Sequence, residues 1–294
     1  MVYYYMTTHT IFIQGGLGNQ LFQIFALINY CIENGFNYVF PLHMQSWDKY
    51  RHPYWNTFLK ELKDRVRPNE IVESYRESCF HYNEIPLLKT DHTLDGYFQT
   101  ELYFKTHFDE ICNLIGIREK QTVIKTKYIQ PYENTISLHF RMGDYTNPEH
   151  HPVMPDTYYI NSLNHIINET KKDNWNVYYA CEEEDDHKVL LRIKNIGQHF
   201  TPLKIYNGTP ECVPQEQQLH FIKISNDMED WEQLLLMSVC EHNIIANSTF
   251  SWWSAYFNTT HEKIVCYPSV WFGPAKHNLN LKDLHPNKWT KIIL

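Results

Sequence analysis

The chain contains no Cys-x-x-Cys pair, no apolar run approaching a membrane span, no Asp-x-Asp triplet and no excess of positive charge. Each absence narrows the class of protein. The seven cysteines (Cys31, Cys79, Cys112, Cys181, Cys212, Cys240 and Cys266) lie far apart. An odd, scattered set fits reduced thiols better than a disulfide framework or a zinc site. A net charge of −8 argues against a broad nucleic-acid surface, so an anion has to be met in a locally basic pocket. Met1 to Thr10 has no basic end followed by an apolar stretch, which gives the expectation of a soluble, cytosol-like protein without stable membrane insertion. Repeats and low-complexity tracts are also missing. Four Asn-x-Ser/Thr triplets, at Asn168, Asn207, Asn247 and Asn258, are what an Asn-rich chain contains by chance.

What is present is a globular composition, 43% hydrophobic and 20% charged over 294 residues, which allows one large domain or two ordinary ones. Residues 10–35 read as a strand (10–14), a glycine loop (15–18) and a helix (20–33) closed by Asn34-Gly35. That helix is apolar enough to be buried on most sides. A strand is expected near 38–41, another at 94–98, and a short helix at 100–108. A break at 126–134, with Pro131 inside it, places a boundary between domains 1–132 and 133–294. Beyond it, strands near 135–140, 176–181, 203–206, 219–224, 243–246 and 263–267 are interleaved with helices at 156–169, 182–194, 228–241 and 249–258. Such alternation implies a parallel sheet.

Four stretches carry polar chemistry at element ends. The first is Ser137-Leu138-His139-Phe140-Arg141-Met142-Gly143-Asp144-Tyr145, a strand that breaks into a charged turn. Arg141 keeps its charge and has a planar fork suited to phosphate; Gly143 suits a sharp turn, and Asp144 could hold the guanidinium or the loop in place. The second is Gly15-Gly16-Leu17-Gly18-Asn19-Gln20. Leu21 stands where a dinucleotide fingerprint has its third glycine, and no acid ends the next strand, so an NAD site is poorly supported. The third is Asn247-Ser248-Thr249 with Ser251, a strand-to-helix turn that serves equally as an ordinary N-cap and as an anion site. The fourth, Cys181-Glu182-Glu183-Glu184-Asp185-Asp186, places acids at a helix N-terminus. There the acids suit the helix end itself, and the carboxylates could alternatively sit near Mg²⁺. Trp252 and Trp253 read as core, and His150-His151 as solvent-facing turn residues without metal spacing.

His139-Phe140-Arg141-Met142-Gly143-Asp144-Tyr145 resembles the His-x-Arg-Arg-Gly-Asp-Tyr motif of the α-1,2-fucosyltransferases, glycosyltransferase family 11. Three more stretches agree with that family in the same order: Gly15 to Gln23, Gly96-Tyr97-Phe98-Gln99-Thr100-Glu101, and Asn247 to Tyr256. Met142 stands where the family has its second arginine. The resemblance implies an α/β, GT-B-like fold of two Rossmann-type domains facing across a cleft, the N-terminal one on the acceptor side and the C-terminal one binding GDP-fucose. It implies inverting transfer of L-fucose from GDP-β-L-fucose to a galactose-type hydroxyl of an oligosaccharide or glycan, in α-1,2 linkage. Catalysis would fall to Arg141, Asp144 and Asn19, and donor binding to His139, Gly16, Gly18, Glu182, Asn247, Ser248, Thr249 and Ser251, with the Glu182 carboxylate accepting paired hydrogen bonds from guanine. With an arginine and a helix end for the phosphates, no metal or other cofactor is expected. The competing readings are a related transferase of α-1,6 or protein-O type, a non-catalytic sugar-nucleotide or glycan-binding descendant, and, last, a dinucleotide oxidoreductase.

Overall fold

The glycine loop and the apolar stretch after it set the N-terminal architecture. Strand β1 (Thr8–Ile11) precedes the loop, and helix α1 (Leu17–Asn34) begins within it, earlier than the apolar pattern suggests. Gly16 is the N-cap without a capping side chain, and Gly35 ends the helix at φ 66°. Of its 18 residues 14 are buried, several of them polar. Gln23 accepts the Gln14 N–H at 3.0 Å and donates to the Gly96 carbonyl at 3.3 Å. Asn29 accepts the His107 N–H at 3.1 Å, and Gln20 donates to the Gly15 carbonyl at 3.1 Å. A buried amide left unpaired costs roughly 1–3 kcal/mol, so these contacts decide where the surrounding loops stand.

In this computed structural model residues 6–44, 52–68, 71–129, 133–143, 148–200 and 218–294 are described. The chain divides into two units, Met1–Lys120 with Asn278–Asn287, and Gln121–His277 with Lys288–Leu294. The first is built on short strands: β2 (Asn37–Tyr38), β3 (Phe40–Pro41), β4 (Val66–Arg67), β5 (Ser74–Arg76) and β6 (Thr93–Asp95). They form a parallel sheet in the order β2-β1-β6-β5 and a separate parallel pair β3-β4, so the strand expected at 38–41 is shared between two sheets. In place of one helix at 100–108 come two 3-10 turns, Glu101–Tyr103 and Lys105–His107. Helices α2 (Phe108–Ile115) and α3 (Ile117–Tyr128) follow, divided by Gly116 at φ 68°.

The second unit alternates as its sequence does. Its elements are β7 (Thr135–His139), α4 (Asp156–Thr170), β8 (Asn174–Ala180), α5 (Asp186–Gln198), β9 (Gln218–Lys223), α6 (Asp230–Ser238), β10 (His242–Ile244), α7 (Thr249–Phe257), β11 (Val265–Pro268) and β12 (Thr290–Ile292). Every pairing in the sheet is parallel, in the order β12-β11-β10-β7-β8-β9. The strand expected at 203–206 lies outside the described residues. The helix expected at 182–194 is a 3-10 turn, Glu183–Asp185, followed by α5, and β12 closes the sheet beyond the last expected strand. All five residues of β7 are buried, as a central strand covered on both faces requires. Ile136, Leu138 and Phe140 pack in one cluster with Tyr158, Leu163, Trp175 and Val177. Trp252 and Trp253 are fully buried. Among the described residues no helix is long and apolar enough to cross a membrane.

One buried amide network ties β7 to the helices behind it. Asn243 Nδ2 donates to Ser137 Oγ at 2.7 Å and to the Met237 carbonyl at 2.9 Å. Its Oδ1 accepts from Asn258 Nδ2 at 2.7 Å, which also donates to the Cys240 carbonyl at 2.8 Å. The Asn258 and Asn247 triplets are therefore structural, since both asparagines are buried and their amides are engaged. Asn243→Ala is expected to strand these partners and lower stability by about 1–3 kcal/mol. The check is a reduced denaturant midpoint at unchanged slope; an unshifted midpoint would show that the network carries no stability.

Candidate active site

Strand order places the site. Reading outward from the middle of the second sheet, the chain runs β7, β8, β9 to one side and β10, β11, β12 to the other. The order reverses between β7 and β10, and a crevice opens outside the carboxyl ends of parallel strands at such a point. The two motifs that close these strands are His139 to Gly143 and Asn247 to Ser251. They are neighbours in space, with the His139 and Phe250 rings 5.4 Å apart.

At the end of β10 the turn is built as a helix cap. Ser248 is the N-cap of α7, and its hydroxyl accepts the Phe250 N–H at 3.4 Å. Asn247 Nδ2 donates to the carbonyls of Pro152 and Trp271, both at 3.0 Å, and so clamps two loops beside the helix end. Ser251 is buried and donates back to the Ser248 carbonyl at 3.3 Å, a contact within the turn itself. Thr249 is half-buried at the first turn. Hydroxyls and helix N–H groups gather there at a positive helix end.

At the end of β7 the arginine is held by the next loop. Arg141 donates to Glu182 Oε1, with the guanidinium side chain 19% exposed. Glu182, a candidate for guanine on sequence, thus lies against Arg141. The Gly143 N–H donates to Asp185 Oδ2 at 2.6 Å, and the other oxygen of Asp185 meets Lys188 Nζ at 3.0 Å. Asp185 is almost fully buried, and nothing in the sequence separated it from the acids around it. Gly143 is needed for space and not for a left-handed turn: a Cβ there would sit 1.7 Å from Glu182 Oε2. Met142 packs against the hydrophobic core cluster. His139 is buried, and burial together with the Arg141 charge pushes its pKa down to about 3. It is therefore neutral at physiological pH, and its Nδ1 has no hydrogen-bond partner among the described residues. Asp144 lies outside the described residues.

The first unit brings its own two motifs together. Gly15, at φ 79°, leaves room for Asn19, whose Nδ2 would lie 2.4 Å from a Cβ at that position. Asn19 Oδ1 accepts from Gln99 Nε2 at 2.9 Å. Gly16 and Gly18 form the start of α1, with the Gly16 carbonyl accepting the Asn19 N–H at 3.0 Å. Gln99 follows Phe98, which adopts φ 51° with its ring fully buried. That strained backbone is held by Glu77, whose Oε2 accepts the N–H groups of Tyr97 at 2.8 Å and Phe98 at 3.1 Å. A Cβ on Gly96 would lie 2.4 Å from Glu77 Cβ, which accounts for that glycine. Gln99 stood in a motif without an assigned role and Glu77 escaped the sequence reading, because both act through partners far away in the chain. Among the described residues no group of three or more His, Cys, Asp or Glu side chains is placed to hold a metal ion.

Glu77 generates a pH prediction. Burial raises its pKa to about 7 and nearby Asp95 adds to the rise, while the two backbone N–H groups oppose it. The folded state therefore holds a proton that the unfolded state releases near pH 4.5. Stability is expected to fall as pH rises between those values, by on the order of 3 kcal/mol, and then to level off. Glu77→Gln should flatten that part of the profile in denaturant melts taken from pH 4.5 to 8. An identical slope in wild type and variant would show that Glu77 does not titrate there.

Comparison with known proteins identifies the family. The family described as Glycosyl transferase family 11 matches residues 213–292. The O-antigen biosynthesis glycosyltransferase WbnK of Escherichia coli is 31% identical over 248 residues, 80% of this chain and 72% of that protein. An α-1,2-colitosyltransferase of Escherichia coli is 26% identical over 312 residues, 95% of this chain and 96% of that protein. Among solved structures, a variant of Arabidopsis thaliana FUT1 in complex with GDP aligns with a TM-score of 0.48 at 10% identity, covering 89% of this chain and 70% of that one. ADP-heptose LPS heptosyltransferase II of E. coli aligns with a TM-score of 0.47 at 10% identity, covering 98% and 90%. On its sequence relationships the chain belongs to glycosyl transferase family 11 and is a glycosyltransferase.

Proposed function

We propose that this protein transfers L-fucose from GDP-β-L-fucose to a galactose-type hydroxyl of a glycan in α-1,2 linkage, with inversion. The observation that carries the reading is that the strand ending in Arg141 and the strand ending in the capped N-terminus of α7 are paired neighbours where the strand order reverses, with the His139 and Phe250 rings in contact. A fixed cation and a helix end are what a departing diphosphate needs, because negative charge grows there as the glycosidic bond breaks. Support for the linkage comes from the relative named for α-1,2 transfer of colitose, which matches over nearly the whole chain.

In a single displacement the acceptor oxygen attacks the anomeric carbon on the face opposite GDP. The carbon–oxygen bond to phosphate breaks, its electron pair leaves with GDP, and the acceptor hydroxyl gives up its proton to water. Arg141 takes the growing charge in a bidentate contact, and Glu182 sets the plane of its guanidinium. Ser248, Thr249 and the first turn of α7 hold the other phosphate oxygens, while Asn247 and Ser251 keep that turn in shape. His139, held neutral, offers a ring nitrogen to the base. In the first unit Asn19, fixed by Gln99, offers its amide to a sugar hydroxyl, with Gly16 and Gly18 allowing close backbone approach.

The test is incubation of the purified protein with GDP-fucose and a β-galactoside, with the product linkage read by NMR. An α-linked fucose on the 2-hydroxyl is expected. A 6-linked product, transfer of another deoxy sugar in preference to fucose, or donor binding without turnover would each contradict the proposal.

A further inference from the structure

Among the described residues, the cations near the carboxyl edge of the second sheet differ in how they are balanced. Arg141 is matched by Glu182, Lys188 by Asp185, Lys223 by Asp186 and Arg192 by Asp156. Lys276, on the short 3-10 turn after β11, has no carboxylate partner among the described residues. Its ammonium lies 3.0 Å from His151 Nε2 and 4.7 Å from the centre of the Phe272 ring. The His151 ring packs edge-on to Phe272 at 5.4 Å, so the lysine is held by an imidazole and an aromatic face. His151 is thus part of a packed cluster and not a solvent-facing turn residue.

The loop that carries Lys276 is built onto the donor-side turn. The Gly273 N–H donates to the His150 carbonyl at 2.9 Å and the Ala275 N–H to the Glu149 carbonyl at 2.8 Å. A Cβ on Gly273 would lie 2.1 Å from the Pro148 carbonyl oxygen, so the two backbones meet directly. Asn247 closes the same pair of segments from the α7 side through Pro152 and Trp271. Lys276 therefore stands on the loop after β11, next to the strand whose end carries Asn247 to Thr249. Partial burial pushes its pKa down, a penalty that an arriving anion would relieve.

We infer that Lys276 is an anion-binding residue of the donor site, pairing with the diphosphate of a nucleotide sugar and supplying the second cation that Met142 does not. The inference rests on the proposed donor reading. A nucleotide sugar carries two phosphate charges, while the one charge of Arg141 is already shared with Glu182. A second cation on a rigid loop at the same sheet edge completes the balance.

Calorimetric titration of the full chain with GDP and with guanosine tests it, using wild type, Lys276→Met and Lys276→Arg. Lys276→Met should bind GDP roughly 10–100-fold more weakly, the loss of one charge-assisted contact, and guanosine as wild type does. Lys276→Arg should recover most of the GDP affinity. Equal GDP affinity in wild type and a folded Lys276→Met would overturn the inference, as would an equal loss for GDP and guanosine. Binding of UDP or ADP in place of GDP by wild type would sink only the guanine assignment, and the same comparison is then made with that nucleotide and its nucleoside. A wild-type protein that binds no nucleoside diphosphate would overturn both readings.

Discussion

The charge of Arg141 has to be balanced whether or not a donor is bound, because a guanidinium does not deprotonate. Much of the second unit's local design follows from that constraint. The side chain leaves the end of a fully buried strand, where an uncompensated charge would be costly, and Glu182 from the neighbouring strand's loop meets it. Gly143 has no side chain because the Glu182 carboxylate fills that space, and Asp185 fixes the backbone beyond it. Met142 turns to the core, so this turn presents a single cation. The same charge, added to burial, keeps His139 neutral.

The first unit solves a different problem with the same means. Its strands are only two to four residues long, too short to define the loops between them by pairing alone. Buried side-chain amides from α1 take over that task, and Glu77 holds a residue at positive φ in the loop that presents Gln99. The Asn19–Gln99 pair is thus positioned by a carboxyl group whose ionisation state is sensitive to pH near neutrality. In both units the polar groups at the motifs are oriented by second residues contributed from distant parts of the chain.

What was legible in the sequence depended on how local the cause was. β7, α4, β8, α7 and β11 were readable because central strands and their covering helices carry continuous apolar or periodic patterns. The Asn34-Gly35 stop was readable because a left-handed C-cap is written in one residue. The 3-10 turns before α2 were not, since their geometry follows from Asn29 gripping the His107 N–H from another helix. β12 is three residues long and exists through its pairing with β11. The motif residues could be picked out one by one, but their partners could not. The pairing of Glu182 with Arg141 and of Gln99 with Asn19 joins motifs far apart in the chain, and Glu77, Asp185 and Lys276 carry no local mark of their role.

Arg141 at the end of β7 gripping the departing diphosphate is the central claim, and the turnover of Arg141→Lys tests it most directly. Lysine keeps the charge and removes the planar fork, so the variant separates bidentate recognition from simple neutralisation. With circular dichroism and melting unchanged, kcat for fucose transfer should fall by about a hundredfold, the usual cost of losing one preorganised contact, on the order of 3 kcal/mol. A folded Arg141→Lys protein that turns over at close to the wild-type rate would contradict the account.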